Sequence, residues 1–109
     1  MHKEVRPWGY FKVYFRSKRF VVKLLHVNAG QVLSRQYHRH RSELWLILNR
    51  NMDVELGKKK LKGKLGFVFI PKGKEHRLGS KKDGNVLELS FGNVDEKDVV
   101  RLKDKYGRK

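Results

Sequence analysis

Cysteine is absent from this 109-residue chain, and acids are scarce, 11 against 27 lysines and arginines. The first absence excludes a disulfide scaffold and a thiolate metal site. A metal here would have to be held by imidazole, carboxylate, amide or water. No run of about 18 apolar residues exists, the length a membrane-spanning helix needs. The opening MHKEVRPWGY has no apolar signal core. A soluble, cytoplasmic protein with no membrane partner is the expectation.

The scarcity of acids leaves a formal net charge of +16. Such a field attracts anions: phosphorylated metabolites, nucleic acid or an acidic membrane surface. A lysine-biased surface without a specific partner gives the same total. The RNA-recognition and zinc-finger signatures are both missing, and Tyr10, Phe11 and Tyr14 suit a core strand as well as a stacking platform. Nucleic acid is therefore not the expected partner. Hydrophobic content of 39% supports a packed core, and the length suits one domain, residues 1–109.

Most of the chain reads as short strands broken by turns. Residues 10–15, 20–27, 31–38, 43–49, 52–56, 66–71 and 85–91 are rich in aromatic and β-branched side chains or alternate cleanly. Glycines punctuate the second half. Residues 57–66, GKKKLKGKLG, read as an exposed lysine-rich hairpin, and lysines on an edge discourage strand-to-strand aggregation. The end, DEKDVVRLKDKYG, has acids leading and basic residues following, with Val99, Leu102 and Tyr106 at helical spacing. The expectation is an all-β sandwich or small barrel with a short C-terminal helix.

Chemistry concentrates in QYHRHRSELW, residues 36–45. On a strand, Val32, Ser34, Gln36 and His38 share one face. His40 joins them if the strand continues, and an antiparallel return brings Glu43 beside His38. His76, after a Pro-Gly turn in PKGKEHRLGS, is a further candidate. Imidazole, carboxylate and amide oxygen converging in a barrel mouth suit a divalent metal. Histidines among arginines at a strand end also occur as plain solvated surface.

Two segments resemble the motifs of the cupin superfamily. The first runs Gly30, five residues, Gln36, Tyr37, His38, four residues, Glu43, with glutamine in the place of the first histidine. The second is Pro71, Gly73 and His76. RPWG at 6–9, the GQVLSRQYHRHRSELW run at 30–45 and VRLKDKYGR at 100–108 are similar to the type II mannose-6-phosphate isomerases, the C-terminal domain of bifunctional mannose-1-phosphate guanylyltransferases. Departures are Arg39 where the family often has histidine, Leu44 where it often has histidine, and Arg50 where it usually has glycine. No guanylyltransferase domain is present in these residues, so nucleotidyl transfer is not expected.

The resemblance implies a jelly-roll barrel, commonly a homodimer, holding one divalent ion on Gln36, His38, Glu43 and His76. Zinc, manganese, iron, cobalt and nickel all suit such ligands. The implied reaction interconverts mannose 6-phosphate and fructose 6-phosphate through an enediolate, with the metal as Lewis acid. His40 and Glu88 are the candidate bases. Leu87, Leu89 and Phe91 form one apolar strand face, and Glu88 faces the other way. Arg41 is the first candidate for the phosphate, ahead of Arg6, Arg35, Lys74 and Arg77. The competing expectation is a metal-binding cupin that acts on or senses a different sugar or small anionic metabolite.

Overall fold

The computed structural model describes residues 2–63, 65–95 and 97–108. They form β1 (His2–Arg6), β2 (Gly9–Arg16), β3 (Phe20–Val27), β4 (Arg35–Tyr37), β5 (Arg41–Ile47), β6 (Met52–Leu56), β7 (Lys59–Lys62), β8 (Gly66–Ile70), β9 (His76–Ser80), β10 (Gly84–Gly92) and β11 (Val100–Lys103). Every pairing is antiparallel, in a six-stranded sheet ordered β1-β2-β3-β10-β5-β8 and a five-stranded sheet ordered β11-β4-β9-β6-β7. One apolar core, including Trp45, Ile47, Met52, Val54, Val68, Ile70, Leu78 and Val86, lies between them.

The strands follow from alternation. In β5, RSELWLI, every second residue from Arg41 to Ile47 is buried. In β3, Val21, Lys23, Leu25 and Val27 are buried. β10 buries Val86, Glu88 and Ser90 and turns Leu87, Leu89 and Phe91 outward. That inversion, polar in and apolar out, marks the place where the interior is a site rather than oil.

The lysine-rich segment is a hairpin, as its composition suggests. β6 and β7 meet around Gly57, with Asp53 opposite Lys62 and Glu55 opposite Lys60. Opposite charges across a strand pair are mildly stabilising, and β7 ends its sheet as a lysine edge.

Two expectations change. The strand at 31–38 shrinks to β4, with an isolated bridge from Val32 to Gly79. The C-terminal helix is not present among the described residues; Glu96, inside that segment, lies outside them. β11 instead pairs with β4 and covers its edge. The three apolar residues read as a helical stripe go to separate places: Val99 lines a cavity, Tyr106 packs on the core, and Leu102 is exposed. A short helix without a packed stripe is marginal, while the edge of β4 offers backbone partners at once. No helix of the described residues is long and apolar enough to cross a membrane.

Gly9, the last residue of RPWG, has a structural reason. Its φ is +152°, and a Cβ there would stand 2.0 Å from the His26 carbonyl oxygen of β3. The obstruction is backbone, so no side chain can swing aside. Gly9→Ala is expected to lower the unfolding free energy by about 2–5 kcal/mol, seen as a lower denaturant midpoint. An unchanged midpoint would contradict this close approach of β2 and β3.

Candidate metal centre and its cavity

His38 lies just beyond β4, Glu43 in β5 and His76 at the start of β9. Their exposures are 2%, 1% and 1%. Each contributes one ligand atom to a group lying within 4.8 Å of one another. His38 Nε2 is 3.6 Å from Glu43 Oε2, and His76 Nε2 is 3.7 Å from Glu43 Oε1. Gln36 is half-buried, sits directly across from His76 in the β4–β9 pairing, and lines a cavity together with His38. Its Oε1 accepts the Ser34 hydroxyl at 2.6 Å.

The hydrogen bonds fix both imidazoles. His38 Nδ1 donates to the Asp98 carbonyl at 2.6 Å, and His76 Nδ1 donates to the Lys74 carbonyl at 2.9 Å. Carbonyls only accept, so each ring carries its proton on Nδ1 and presents a lone pair at Nε2. A backbone carbonyl behind a ligating histidine is the usual way a protein sets that tautomer. Burial first, then the Arg41 charge, pushes His38 down to about 4. Burial likewise lowers His76. Both rings are neutral near pH 7, the state a metal requires.

Glu43 Oε1 and His76 Nε2 are buried and have no hydrogen-bond partner. Orphaned buried polar atoms are costly and rare. Two of them, aimed into one space beside a third lone pair, fit a bound cation. The nitrogen and oxygen donors suit a borderline divalent metal.

Asp98 braces this arrangement from the segment whose charge pattern reads as the start of a helix. Its carboxylate accepts the backbone N–H groups of Arg39 and His40, both at 2.9 Å, while its carbonyl holds His38. It thus locks the turn between β4 and β5.

Glu88, in β10, is 5% exposed and lines the cavity. Trp45, its register partner, donates its indole N–H at 3.4 Å. Burial first, then the Glu43 charge, pushes Glu88 up to about 7. Arg41 is buried and turned inward: Nε donates to Glu43 Oε2 at 3.2 Å and Nη2 to His38 Nε2 at 3.3 Å. His40 is exposed on the turn and does not line the cavity. Arg35 is bound to Glu55 and Glu75, Arg77 to the Leu33 carbonyl, and neither of these nor Lys74 lines the cavity. Arg6 does, together with three cations that sequence reading missed: Lys23, Arg101 and Arg108. Lys23 left one faint signal, a single charge at an inward position of the apolar strand FVVKLLHV.

Two facing antiparallel sheets in this order are the fold of a cupin domain. The structure superposes on the cupin domain of Schizosaccharomyces pombe Cnp3 with a TM-score of 0.69, at 16% identity, over 76% of this chain and 64% of that one. The Staphylococcus aureus capsular polysaccharide assembling protein CapF gives 0.78, at 18% identity, over 94% of this chain and 31% of that one. A family model described as mannose-6-phosphate isomerase C-terminal matches residues 1–104, and the chain belongs to that family. The mannose-1-phosphate guanylyltransferase ManC of Salmonella typhimurium is 38% identical over 99% of this chain and 24% of its own length. The chain therefore spans about a quarter of that relative.

Proposed function

We propose that the chain is a metal-dependent aldose-ketose isomerase interconverting mannose 6-phosphate and fructose 6-phosphate. The observation that carries this reading is a buried His38, Glu43 and His76 group whose His38 shares one cation-lined cavity with Gln36 and Glu88, in a chain of this family. His38, Glu43 and His76, with Gln36 beside them, would hold the metal. When bound, a divalent ion there supplies a Lewis acid for the negative charge that develops on the sugar's oxygens.

The chain's own residues do the rest. Among the described residues lining the cavity, Glu88 is the one carboxylate, which makes it the base on position. Its carboxylate takes the proton from C2 of the open-chain aldose. The C2–H electron pair forms the C1–C2 double bond, and the carbonyl electrons move onto O1. The same carboxyl returns the proton at C1, and the O2 hydroxyl proton passes to O1, so that C2–O2 becomes the ketone and O1 a hydroxyl. Trp45 holds the carboxyl in place, and the Arg41 guanidinium adds positive charge beside Glu43. Exposure of His40 argues against its service as the base. Phosphorylated sugars are cytoplasmic metabolites, and this reading places the chain with them.

The substrate test is a panel of aldose 6-phosphates, each followed by ketose formation with divalent metal present. Mannose 6-phosphate should turn over fastest. Faster turnover of another sugar would transfer the assignment to that substrate.

The partner in this reading is a second copy. The outward residues of β3, β5, β8 and β10 include no lysine, arginine, aspartate or glutamate, in a chain with 27 basic residues. Phe67 and Phe69 on β8 are 66% and 55% exposed. Four strands of about six residues give a flat footprint of about 400 Å². That is about half of one side of a standard interface. The aromatic row Phe15, Phe20 and Phe91 extends it onto β2. Two such faces meet without desolvating a charge. Sedimentation equilibrium should return twice the 13.0 kDa chain mass. Phe67→Glu with Phe69→Glu should return the monomer. A wild-type monomer at about 100 μM, where an ordinary dimer is saturated, would refute the pairing.

A further inference from the structure

Five basic side chains line the cavity above the His-Glu-His cluster, and they divide into two sets. Lys23 and Arg41 come from the middle of the six-stranded sheet, point inward and are buried. Arg41 is engaged with Glu43, His38 and the Asp95 carbonyl. Arg6, Arg101 and Arg108 come from the end of β1, from β11 and from the C-terminal turn, and all three are half-buried.

The second set is built rather than incidental. Arg6 donates to Glu4 at 2.8 Å and lies 4.9 Å over the Phe11 ring. Arg108 is forked onto Asp104 through Nε and Nη2 at 3.0 and 3.1 Å, and packs over Tyr106. Arg101 is the register partner of Gln36, which places it one strand from the metal cluster. Burial first, then the charge of Arg108 and more weakly that of Arg6, pulls Arg101 below its ordinary pKa, against the opposing Asp104. Like charges pressed into a partly desolvated space cost stability, and such perturbed groups gather where a ligand of opposite charge is received.

We propose that Arg6, Arg101 and Arg108 are the seat for the phosphate of the sugar, and that Arg41 is not. The inference rests on the sugar-phosphate reading and deepens it. A phosphate monoester offers three terminal oxygens in a tetrahedron and can accept from guanidinium forks on several sides. A planar carboxylate is filled by one or two. Three guanidiniums from three different segments therefore favour a phosphate over a uronate. Arg41, bound to two of the metal-cluster side chains, serves the reacting end of the sugar instead. Specificity for a phosphorylated substrate then resides in the chain's two ends, RPWG and the final YGR, which the His-Glu-His motif does not include.

The test is calorimetric binding to the full chain at fixed ionic strength. The probes are fructose 6-phosphate, fructose, glucuronate and inorganic phosphate, and the proteins are wild type, Arg101→Met, Arg6→Met and the exposed-surface control Arg50→Met. Fructose 6-phosphate should bind Arg101→Met and Arg6→Met about 10- to 100-fold more weakly than wild type. Fructose should bind all four proteins equally, and Arg50→Met should match wild type. If Arg101→Met folds poorly, Arg101→Lys keeps the charge without the fork and should still lose affinity. Fructose 6-phosphate binding unchanged in both Arg101→Met and Arg6→Met would overturn the proposal, as would an equal loss in Arg50→Met, which reports only the general field. Glucuronate binding as well as fructose 6-phosphate would overturn the choice of phosphate. Isomerase turnover is scored separately: if it is absent while Arg101 still selects phosphate, the seat stands and the reaction falls; if it is present with Arg101→Met indistinguishable from wild type, the seat falls alone.

Discussion

Replacing His76 by alanine is expected to reduce bound divalent metal from about one per chain to near zero, and turnover by about 10³-fold. His76 supplies the Nε2 left without a partner in the interior, held on line by the Lys74 carbonyl behind its ring. Deleting it removes one of the three donor atoms proposed to hold the metal and leaves Glu43 Oε1 still buried and unpaired. The magnitude follows from the several kcal/mol that a Lewis acid contributes to developing negative oxygen. The ring also packs against Trp45 and His38, at centroid distances of 5.5 and 5.2 Å, so alanine opens a void in the core. His76→Gln, closer in volume, separates the two effects. It should remain folded and still bind metal much more weakly than wild type. Undiminished metal in folded His76→Ala would remove His76 from the ligand set.

The second large effect is at Glu88. Glu88→Gln should keep the metal and the fold while lowering kcat by about 10²- to 10⁴-fold, the usual weight of a positioned general base. Glutamine preserves the volume in β10 and can still accept the Trp45 indole N–H. It cannot take a proton from carbon. Because metal stoichiometry is read in the same preparation, loss of base and loss of metal are told apart. If Glu88→Gln stays within tenfold of wild type and His40→Ala carries the loss, the base is His40, brought into the cavity from its exposed place on the turn.

Much of this was legible in the sequence, for reasons that differ by element. β3, β5 and β10 alternate over seven to nine residues, which is long enough for period two to be unmistakable. Gln36 and His38 stand two apart and line one cavity as strand alternation suggests, although β4 ends at Tyr37 and only Gln36 lies within it. The inward turn of Glu88 follows from its neighbours Leu87 and Leu89, although patterning alone could not tell which face of β10 was the interior. The apolar face turned out to be the outer one.

What was not legible depended on distant pairing. β9 begins with His76 and has two small residues, Gly79 and Ser80, so it carries little strand signal of its own; β4 and β6 on either side define it. The C-terminal charges arranged themselves like a helix, and only the unpaired edge of β4 made a strand of residues 100–103. Arg101 and Arg108 were hidden by abundance. Among 27 basic residues, position in the chain does not distinguish a cavity arginine from a surface one. Asp98 acts largely through backbone groups, which no side-chain pattern reports.

The most direct measurement is fructose 6-phosphate formation from mannose 6-phosphate by protein stripped with a chelator, before and after one equivalent of each divalent metal is returned. The expected result is no turnover in the stripped protein and recovery with at least one metal near a one-to-one ratio. Turnover undiminished by stripping, or none with any metal, would contradict a metal-dependent isomerase built on His38, Glu43 and His76.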